Sequence, residues 1–294
     1  MKITAIIQSM RVPFLVLTPV CVFLGASTVV LNETNTGLLV LVLLGALLAH
    51  ISVNALNEYS DFRSGLDLTT TRTQFSGGSG ALPGNPEMAG AVLAVGAMSL
   101  LATLLIGGYF VWRYGAGIVP IGVAGLILIV TYTNWINRYP FLCLIAPGVG
   151  FGFLMVIGTQ YVLQGKYALL SLLVAVIPFL LVNNLLLLNQ YPDIQADARV
   201  GRNHFPIAYG VSRSNMVYTL FALAVITIIL VYVSLGYLPA LSLIALLPMP
   251  LAFFSLYGAV KYRENIGSHP QYLGANVGVT ILAPLLLGVS IMAG

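Results

Sequence analysis

This 294-residue chain contains nine long apolar stretches, and such a sequence is not typical of a soluble domain. Each is roughly 20 residues long, which is the length that an α-helix needs to cross the hydrocarbon core of a bilayer. The stretches are continuously apolar, whereas the strands of a membrane barrel alternate in polarity. We therefore predict one all-α polytopic membrane domain over residues 1–294. Its predicted spans are 12–31, 37–57, 89–110, 117–135, 142–163, 168–190, 215–235, 238–258 and 273–292.

The basic residues predict the orientation of the chain. Of its 12 Lys and Arg residues, only Arg113 and Lys166 fall in odd-numbered connections between spans. The others fall at the N-terminus or in even-numbered connections, and basic residues favour the cytoplasmic side. We expect a multi-pass protein of the cell membrane with a cytoplasmic N-terminus. The net charge of +4 is therefore a signal of topology first and not evidence for nucleic acid, so we predict the lipid bilayer as a partner and no nucleic acid.

The four aspartates of the chain occur in two pairs beside predicted spans. Asp61 and Asp67 follow the second span, and Asp193 and Asp197 follow the sixth, both on the predicted cytoplasmic side. Only 7% of the residues are charged, and ionisable groups beside apolar spans are costly. This concentration therefore indicates a working site. Carboxylates gathered there with Asn and Arg are suited to a Mg²⁺–diphosphate substrate.

The first pair belongs to a polar helix face. Spacings of 4, 3 and 4 place four residues on one side of the second span: His50, Asn54, Asn57 and Asp61. Asn and Asp are poor lipid-facing residues, so this face must look into the bundle. Asp67 lies beyond Gly65, where we predict that the helix ends, and folding back would let it share a cation with Asp61.

The second pair predicts another polar face. Asn189, Asp193 and Asp197 are spaced by four, and Pro192 predicts a kink among them. Two carboxylates one helical turn apart repel each other unless a cation lies between them. Mg²⁺ prefers oxygen ligands and usually keeps waters and substrate phosphates in its shell.

Arginines near the two pairs are candidate phosphate ligands, because a guanidinium group fits phosphate geometry. They are Arg72, Arg199 and Arg202. A glycine-rich stretch, Phe75–Ala81, follows the first of them. Its glycines permit close backbone approach to a ligand, or a mobile cap, or only a flexible connector, and the sequence leaves these open.

The two aspartate motifs resemble those of the UbiA superfamily of intramembrane prenyltransferases, over nearly the whole chain. Asn54-x-x-Asn57-x-x-x-Asp61-x-x-x-Gly65-x-Asp67 resembles the first family motif, in the longer-spaced form of the 1,4-dihydroxy-2-naphthoate prenyltransferase branch. Asn189-Gln190-x-x-Asp193-x-x-x-Asp197-x-x-x-Gly201-Arg202 resembles the second. Thr131-Tyr132-Thr133 resembles the connection after the fourth span.

The chain departs from the family pattern at three places. Pro192 stands where relatives commonly carry Arg, and Glu58 stands where many carry Asp. The stretch Ala146–Phe151 lacks the basic and acidic residues of the quinone branch. The last departure leaves the aromatic acceptor open.

The resemblance implies about nine helices around a central cavity, and transfer of an isoprenyl chain from a polyprenyl diphosphate to an aromatic acceptor. The implied cofactor is Mg²⁺, with ligands Asn57, Asp61, Asp67, Asp193 and Asp197. The implied substrate-binding residues are Asn54, Arg72, Arg138, Asn189, Arg199 and Arg202. The implied catalytic residues are Asp61, Asp193 and Tyr132, whose ring would face the cation-like allylic carbon.

Other functions stay open at this point. The acceptor could be another aromatic compound, a lipid or a sugar phosphate. A cation-coupled transporter also carries intramembrane acids, but its sites lie near the bilayer midplane in broken helices. A non-catalytic scaffold is a third possibility. His50 is either a proton acceptor or a helix-packing residue, and we assign no role to His204 or His269.

Overall fold

The computed structural model describes residues 2–29 and 35–294, and all regular elements among them are helical. The last residues of the predicted span 12–31 lie outside this described part. The helices are α1 (Lys2–Ser9), α2 (Leu17–Ser27), α3 (Thr36–Ser64), α4 (Leu66–Thr69), α5 (Ala81–Gly84), α6 (Ala89–Tyr114), α7 (Val119–Thr131), α8 (Pro140–Gly148), α9 (Val156–Gln164), α10 (Leu169–Asn189), α11 (Ile194–Arg199), α12 (Phe205–Ser234), α13 (Met249–Tyr262) and α14 (Pro270–Ala293).

Seven helical segments of the described residues are long and apolar enough to cross a membrane, and the bent pair Ile3–Ser9 and Val12–Ser27 would make eight. The predicted count of nine spans is higher than this count of segments because one segment, Pro86–Thr131, covers two predicted spans. A straight helix of that length would extend about 69 Å, more than twice the hydrocarbon thickness. Gly115 interrupts it with φ 70° and ψ −157°, which separates α6 from α7. The count of nine is therefore approximate.

Packing is uneven across the bundle. Helix α10 contacts α8, α12 and α14, and its apolar side chains join theirs in the largest core cluster. Of the membrane-length window of α10, 61% is buried, against 17% for the segment that holds α6 and α7. Helix α6 packs mainly on α3. Helix α10 is therefore the most buried of the membrane-length segments, and the segment with α6 and α7 is the least buried.

A π-helical segment, Val149–Met155, joins α8 to α9 where this helix crosses α10. The Gly148 N–H donates to Asn183 Oδ1 at 2.6 Å. A Cβ atom on Gly152 would lie 2.5 Å from the backbone nitrogen of Phe179. Small residues at such crossings let two helix backbones approach closely.

We expect Gly152→Ala to destabilise the protein, because its Cβ would meet backbone atoms of Phe179 and Ala175 that cannot move without α10. The expected loss in the free energy of unfolding is about 1–3 kcal/mol, measured by thermal unfolding in detergent. Gly150→Ala is a matched control, since its Cβ would meet only Leu128 Cδ1, at 3.9 Å. Equal effects of the two substitutions would contradict the close-packing explanation.

Helix α3 carries the first polar face, and its end agrees with the sequence prediction. It stops at Ser64, and Gly65 takes the left-handed conformation with φ 80°. His50, at mid-helix, contacts α2 and the π-helical segment. Its Nδ1 lies 2.9 Å from Thr18 Oγ1, and the edge of its ring meets Phe151 at 4.8 Å between centroids. His50 is thus a buried packing residue that also lines the central cavity.

Candidate active site

One cavity of about 630 Å³ lies between the helices, and all four aspartates of the chain line it. Asp61, Asp67 and Asp197 are buried, and Asp193 is half-buried. The two acidic pairs are far apart in sequence, yet they meet at one end of this cavity. We call this part the acid end; the rest of the wall is mainly apolar.

The first acidic pair reaches the cavity as the spacing predicts. Asn54, Asn57 and Asp61 line the cavity from α3, and Asp67 lines it from the one-turn helix α4 that follows Gly65. The Asn54 amide donates to the Met10 carbonyl at 2.9 Å. The Asn57 amide donates to Thr133 Oγ1 at 3.0 Å, which leaves the Asn57 oxygen facing the N-terminal segment.

The second acidic pair does not lie on one continuous helix face, contrary to the prediction. Helix α10 ends at Asn189, a turn follows, and α11 begins at Ile194. The ring and missing N–H of Pro192 prevent the helix from continuing, so the expected kink is a break. The turn nevertheless keeps Asn189, Asp193 and Asp197 in the cavity wall.

Arg202 joins the two acidic pairs. Its Nη2 donates to Asp61 Oδ1, and its Nη1 donates to Asp197 Oδ1 at 2.9 Å. The side chain is only 17% exposed. Gly201, with φ 79°, turns the chain back after α11 and brings the guanidinium group over the cavity. The charge of Arg202 therefore reduces repulsion between two buried carboxylates.

His204 contacts Asp197, and the sequence did not predict this contact. Its Nε2 lies 3.0 Å from the second oxygen of Asp197, and the residue is almost fully buried. It precedes α12 in an irregular connection, where helical spacing gives no information on side-chain direction.

The other three predicted arginines lie elsewhere. Arg72, Arg138 and Arg199 are exposed, and none of them lines the cavity. Arg72 instead donates to the backbone carbonyl of Asp67 at 3.0 Å. Arg72 and Arg199 lie a few residues from the acidic pairs in sequence, whereas Arg138 lies between α7 and α8, so nearness in sequence did not imply a place in the cavity wall.

Arg11 lines the cavity, which these three arginines do not. It stands between α1 and α2 in a left-handed conformation, with φ 52°. Its Nη2 donates to Asn57 Oδ1 at 3.1 Å and lies 3.5 Å from Glu58 Oε2, while its buried Nε has no hydrogen-bond partner in residues 2–29 and 35–294. In the sequence Arg11 is one more basic residue before a span, so it contributed only to the predicted orientation of the chain.

The glycine-rich stretch Phe75–Ala81 lies against both acidic pairs. The Gly77 N–H donates to Asp193 Oδ2 at 2.9 Å. Ser79 donates to the fully buried Glu58, through its backbone N–H at 3.1 Å and through its hydroxyl. Gly78, with φ 74°, leaves no room for a Cβ atom, which would lie 2.7 Å from Asp67 Oδ1. This stretch therefore covers the acid end and is anchored by Glu58.

Two of the carboxyl groups hold protons more tightly than usual. Burial and the negative charges of Glu58 and Asp61 raise the pKa of Asp67 to about 7. Burial and the charge of Asp197 raise the pKa of Asp193 to about 7, although the Gly77 N–H acts in the opposite direction. Both residues lie beyond the membrane-length helices. The acid end thus carries an excess of negative charge that a cation would relieve.

Tyr132 lies just after the end of α7 and lines the cavity. Its side chain packs with Leu128 against a small apolar cluster formed by Ile136, Cys143 and Ala146. The aromatic ring is therefore fixed in place beside the acid end.

Comparison with known sequences decides the family. The sequence profile of the UbiA prenyltransferase family matches residues 16–273. The chain belongs to the UbiA prenyltransferase family. A 1,4-dihydroxy-2-naphthoate octaprenyltransferase from Haemophilus influenzae is 28% identical over 186 residues. That match covers 62% of this chain and 60% of the relative, so the chain spans less than two thirds of the curated protein it matches.

Solved structures agree on the UbiA fold. A UbiA homologue from Archaeoglobus fulgidus, bound to DMAPP and Mg²⁺, has a TM-score of 0.71 at 11% identity, over 98% of this chain and 99% of that chain. A structure concerned with digeranylgeranylglyceryl phosphate synthase has a TM-score of 0.66 at 13% identity, over 100% and 99% of the two chains. At these identities the likeness establishes the fold of this integral membrane protein and leaves its substrates to be argued from the site.

The acid end fits the divalent cation that other UbiA structures hold. Within the described part of the chain, three oxygens there are buried without a hydrogen-bond partner: Asp67 Oδ2, Asp193 Oδ1 and Asn189 Oδ1. Unpaired buried oxygens are costly, and they are the ligand type that Mg²⁺ prefers. Among the described residues no group of three or more His, Cys, Asp or Glu side chains is close enough to hold a metal alone. Mg²⁺ usually keeps waters and substrate phosphates in its shell.

Proposed function

We propose that this protein transfers an isoprenyl chain from a polyprenyl diphosphate to an aromatic acceptor, with Mg²⁺ as its cofactor. The observation that supports this most is the convergence of all four aspartates with Arg11 and Arg202 at one end of an apolar cavity. The Archaeoglobus homologues bound to DMAPP or GPP with Mg²⁺ support the same ligand class. The name of the Haemophilus relative makes 1,4-dihydroxy-2-naphthoate our candidate acceptor, and the basic-residue asymmetry supports a cytoplasmic acid end.

The donor headgroup would lie between the two acidic pairs. Asp61, Asp67, Asp193 and Asp197 would hold the cation, with Asn57 and Asn189 oxygens nearby. Bound Mg²⁺ would neutralise charge that develops on the leaving diphosphate. Arg202 and Arg11 would donate to the phosphate oxygens, and their charges would act most strongly once the site excludes water.

Bond breaking would occur between the allylic carbon and the diphosphate oxygen. The carbon becomes cation-like as this bond breaks, and the π-face of Tyr132 would stabilise it by about 1–2 kcal/mol in a dry site. The acceptor ring carbon would supply the electron pair of the new carbon–carbon bond, and the diphosphate would leave with the pair of the broken carbon–oxygen bond. The ring would then regain aromaticity by losing the group at that carbon without its bonding pair, as a proton or, from a carboxylated carbon, as carbon dioxide. The covering stretch Phe75–Ala81 would exclude water, which would otherwise hydrolyse the donor.

The purified protein in lipid should form a prenylated product when given Mg²⁺, geranylgeranyl or longer diphosphates, and 1,4-dihydroxy-2-naphthoate. Mass spectrometry of the product, with a panel of other aromatic acceptors, tests both the reaction and the acceptor. Donor binding without product from any aromatic acceptor would remove the aromatic assignment and direct the search to lipid or sugar-phosphate acceptors.

Binding of Mg²⁺ should strengthen as pH rises from about 6 to about 8. Asp67 and Asp193, whose pKa values are about 7, must lose their protons before they can ligate a cation. We expect the dissociation constant to fall about tenfold or more over this range. Calorimetry in buffers of different ionisation enthalpy would also detect protons released on binding, and pH-independent affinity without proton release would contradict this prediction.

A further inference from the structure

His204 lines the same cavity as the aspartates, but the proposed function gives it no role. Its side chain is only 1% exposed. A polar ring that is taken out of water costs free energy unless it forms hydrogen bonds. The ring contacts Asp197, with 3.0 Å between His204 Nε2 and Asp197 Oδ2. The role of His204 must therefore be sought in what it does to this carboxylate.

The surroundings of the His204 ring determine where its proton lies. An ionised carboxylate can only accept, so Nε2 is the nitrogen that donates to Asp197. Nδ1 is buried and has no hydrogen-bond partner among residues 2–29 and 35–294. A second N–H at Nδ1 would be a buried donor without an acceptor, which is costly. The neutral ring with its proton on Nε2 fits this site, and it orients Asp197 without cancelling the negative charge that a cation requires.

The backbone on both sides of His204 is held by other parts of the bundle. The Asn203 N–H donates to the Asn137 carbonyl at 2.9 Å, in the connection between α7 and α8. The His204 carbonyl accepts from the Ala208 N–H at 3.1 Å, in the first turn of α12. Phe205, the next residue, is buried in the largest core cluster. The bundle therefore fixes the place of the ring independently of α11.

Asp197 depends on such a contact because its own helix is short. Helix α11 has six residues, Ile194–Arg199, and so short a helix is not stable by itself. Arg202 Nη1 donates to Asp197 Oδ1 at 2.9 Å, but Arg202 also donates to Asp61 and, in the proposed function, to the diphosphate. His204 contacts the other oxygen of Asp197. It can therefore hold this carboxylate in place while a diphosphate draws on Arg202.

We propose that His204 is a positioning residue for Mg²⁺, whose Nε2–H fixes the Asp197 carboxylate in the orientation that binds the cation. This rests on the proposed function, in which Asp197 is one of the cation ligands. An ionised carboxylate offers about four lone-pair sites, so Asp197 can accept from Arg202 and His204 and still bind a cation. The ring acts through its geometry and needs no change of protonation.

Two substitutions separate the hydrogen bond from the volume of the ring. In His204→Gln the amide nitrogen lies as many bonds from the Cα atom as Nε2 does, so it can still donate to Asp197. His204→Phe keeps a ring in the buried site but has no N–H. Calorimetry with Mg²⁺ alone at pH 8, where Asp67 and Asp193 are mostly ionised, gives the dissociation constant. We expect it to rise about 10–100-fold in His204→Phe and less than about threefold in His204→Gln.

His269→Phe is the matched control. His269 stacks on Tyr262 with 3.6 Å between ring centroids and does not line the cavity, so this variant should bind Mg²⁺ as the wild type does. Thermal unfolding without Mg²⁺ shows which variants are folded. Equal Mg²⁺ affinity in folded His204→Phe and in the wild type would overturn the proposal. A loss in His204→Gln as large as that in His204→Phe would overturn it as well.

The wild type allows a measurement that does not depend on how any variant folds. The chain has three histidines, so the ¹⁵N signals of their rings are few enough to resolve by NMR. We expect the His204 ring to carry its proton on Nε2, and its signals to shift when Mg²⁺ is added while those of His269 stay unchanged. A proton on Nδ1, or His204 signals that do not respond to Mg²⁺, would overturn the proposal.

Turnover separates this proposal from the proposed function. His204→Phe should need at least about tenfold more Mg²⁺ for half-maximal turnover, and it should regain most of the wild-type kcat at saturating Mg²⁺. A merely structural role would lower kcat at every Mg²⁺ concentration, and that result would overturn the proposal. Absence of prenylated product from the wild type would overturn only the reaction, because Mg²⁺ binding and the ring signals do not depend on it.

Discussion

Asp61→Asn and Asp193→Asn should each leave a folded protein that has lost at least about a hundredfold in kcat. The two residues come from opposite acidic pairs and line the same cavity. Each substitution keeps the size of the side chain but replaces a charged cation ligand with a neutral amide. The loss should appear in turnover. Asp61→Asn also removes one of the two carboxylates that pair with Arg202, so it should lower the thermal-unfolding midpoint as well.

Glu87→Gln provides the matched control for these variants. Glu87 is exposed and does not line the cavity, so this substitution removes the same charge from outside the site. Thermal unfolding and size-exclusion profiles of Asp193→Asn and Glu87→Gln should resemble those of the wild type, and Asp61→Asn should stay folded with a lower unfolding midpoint. Near-normal turnover in either aspartate variant would show that the acid end does not hold the metal.

Arg202→Gln should have two effects, because Arg202 both joins the acidic pairs and faces the proposed diphosphate. Asp61 and Asp197 would be left buried without their shared cation. Removing one partner of a buried ion pair typically costs about 3–5 kcal/mol. We expect a lower thermal-unfolding midpoint, and a KM for the donor that rises about tenfold or more.

Arg199→Gln separates these effects from a general loss of positive charge. Arg199 lies three residues earlier but is exposed and outside the cavity wall, so its substitution should change neither quantity appreciably. Mg²⁺ should restore more stability to Arg202→Gln than it adds to the wild type, since the cation would replace the lost charge between the same carboxylates. Equal behaviour of the two arginine variants would contradict the bridging role of Arg202.

Helical periodicity predicted the parts of the site that belong to long helices. The spacing of Asn54, Asn57 and Asp61 identified a face of α3 that does line the cavity, and Gly65 marked its end. The same reasoning failed at Asp193, because spacing by four implies a common face only while the helix continues. Pro192 breaks it, and tertiary packing, not helical geometry, keeps the second acidic pair in place.

Residues in irregular segments could not be assigned from the sequence. Arg72 and Arg199 are close to the acids in sequence, and Arg138 is not, but all three lie outside the cavity, whereas Arg11 and His204 lie within its wall. Their side-chain directions depend on left-handed residues, turns and loop packing that carry no periodic signal. The separation of α6 from α7 at Gly115, in contrast, agrees with the predicted spans 89–110 and 117–135.

The most direct test of the metal–diphosphate site is the binding of geranylgeranyl diphosphate to the purified protein, measured with and without Mg²⁺ in the wild type, Asp193→Asn and Glu87→Gln. We predict that binding requires Mg²⁺ in the wild type and in Glu87→Gln, and that it is lost in Asp193→Asn. Equal binding in the absence of Mg²⁺, or undiminished binding by Asp193→Asn, would contradict the assignment of the four aspartates to a single metal–diphosphate site.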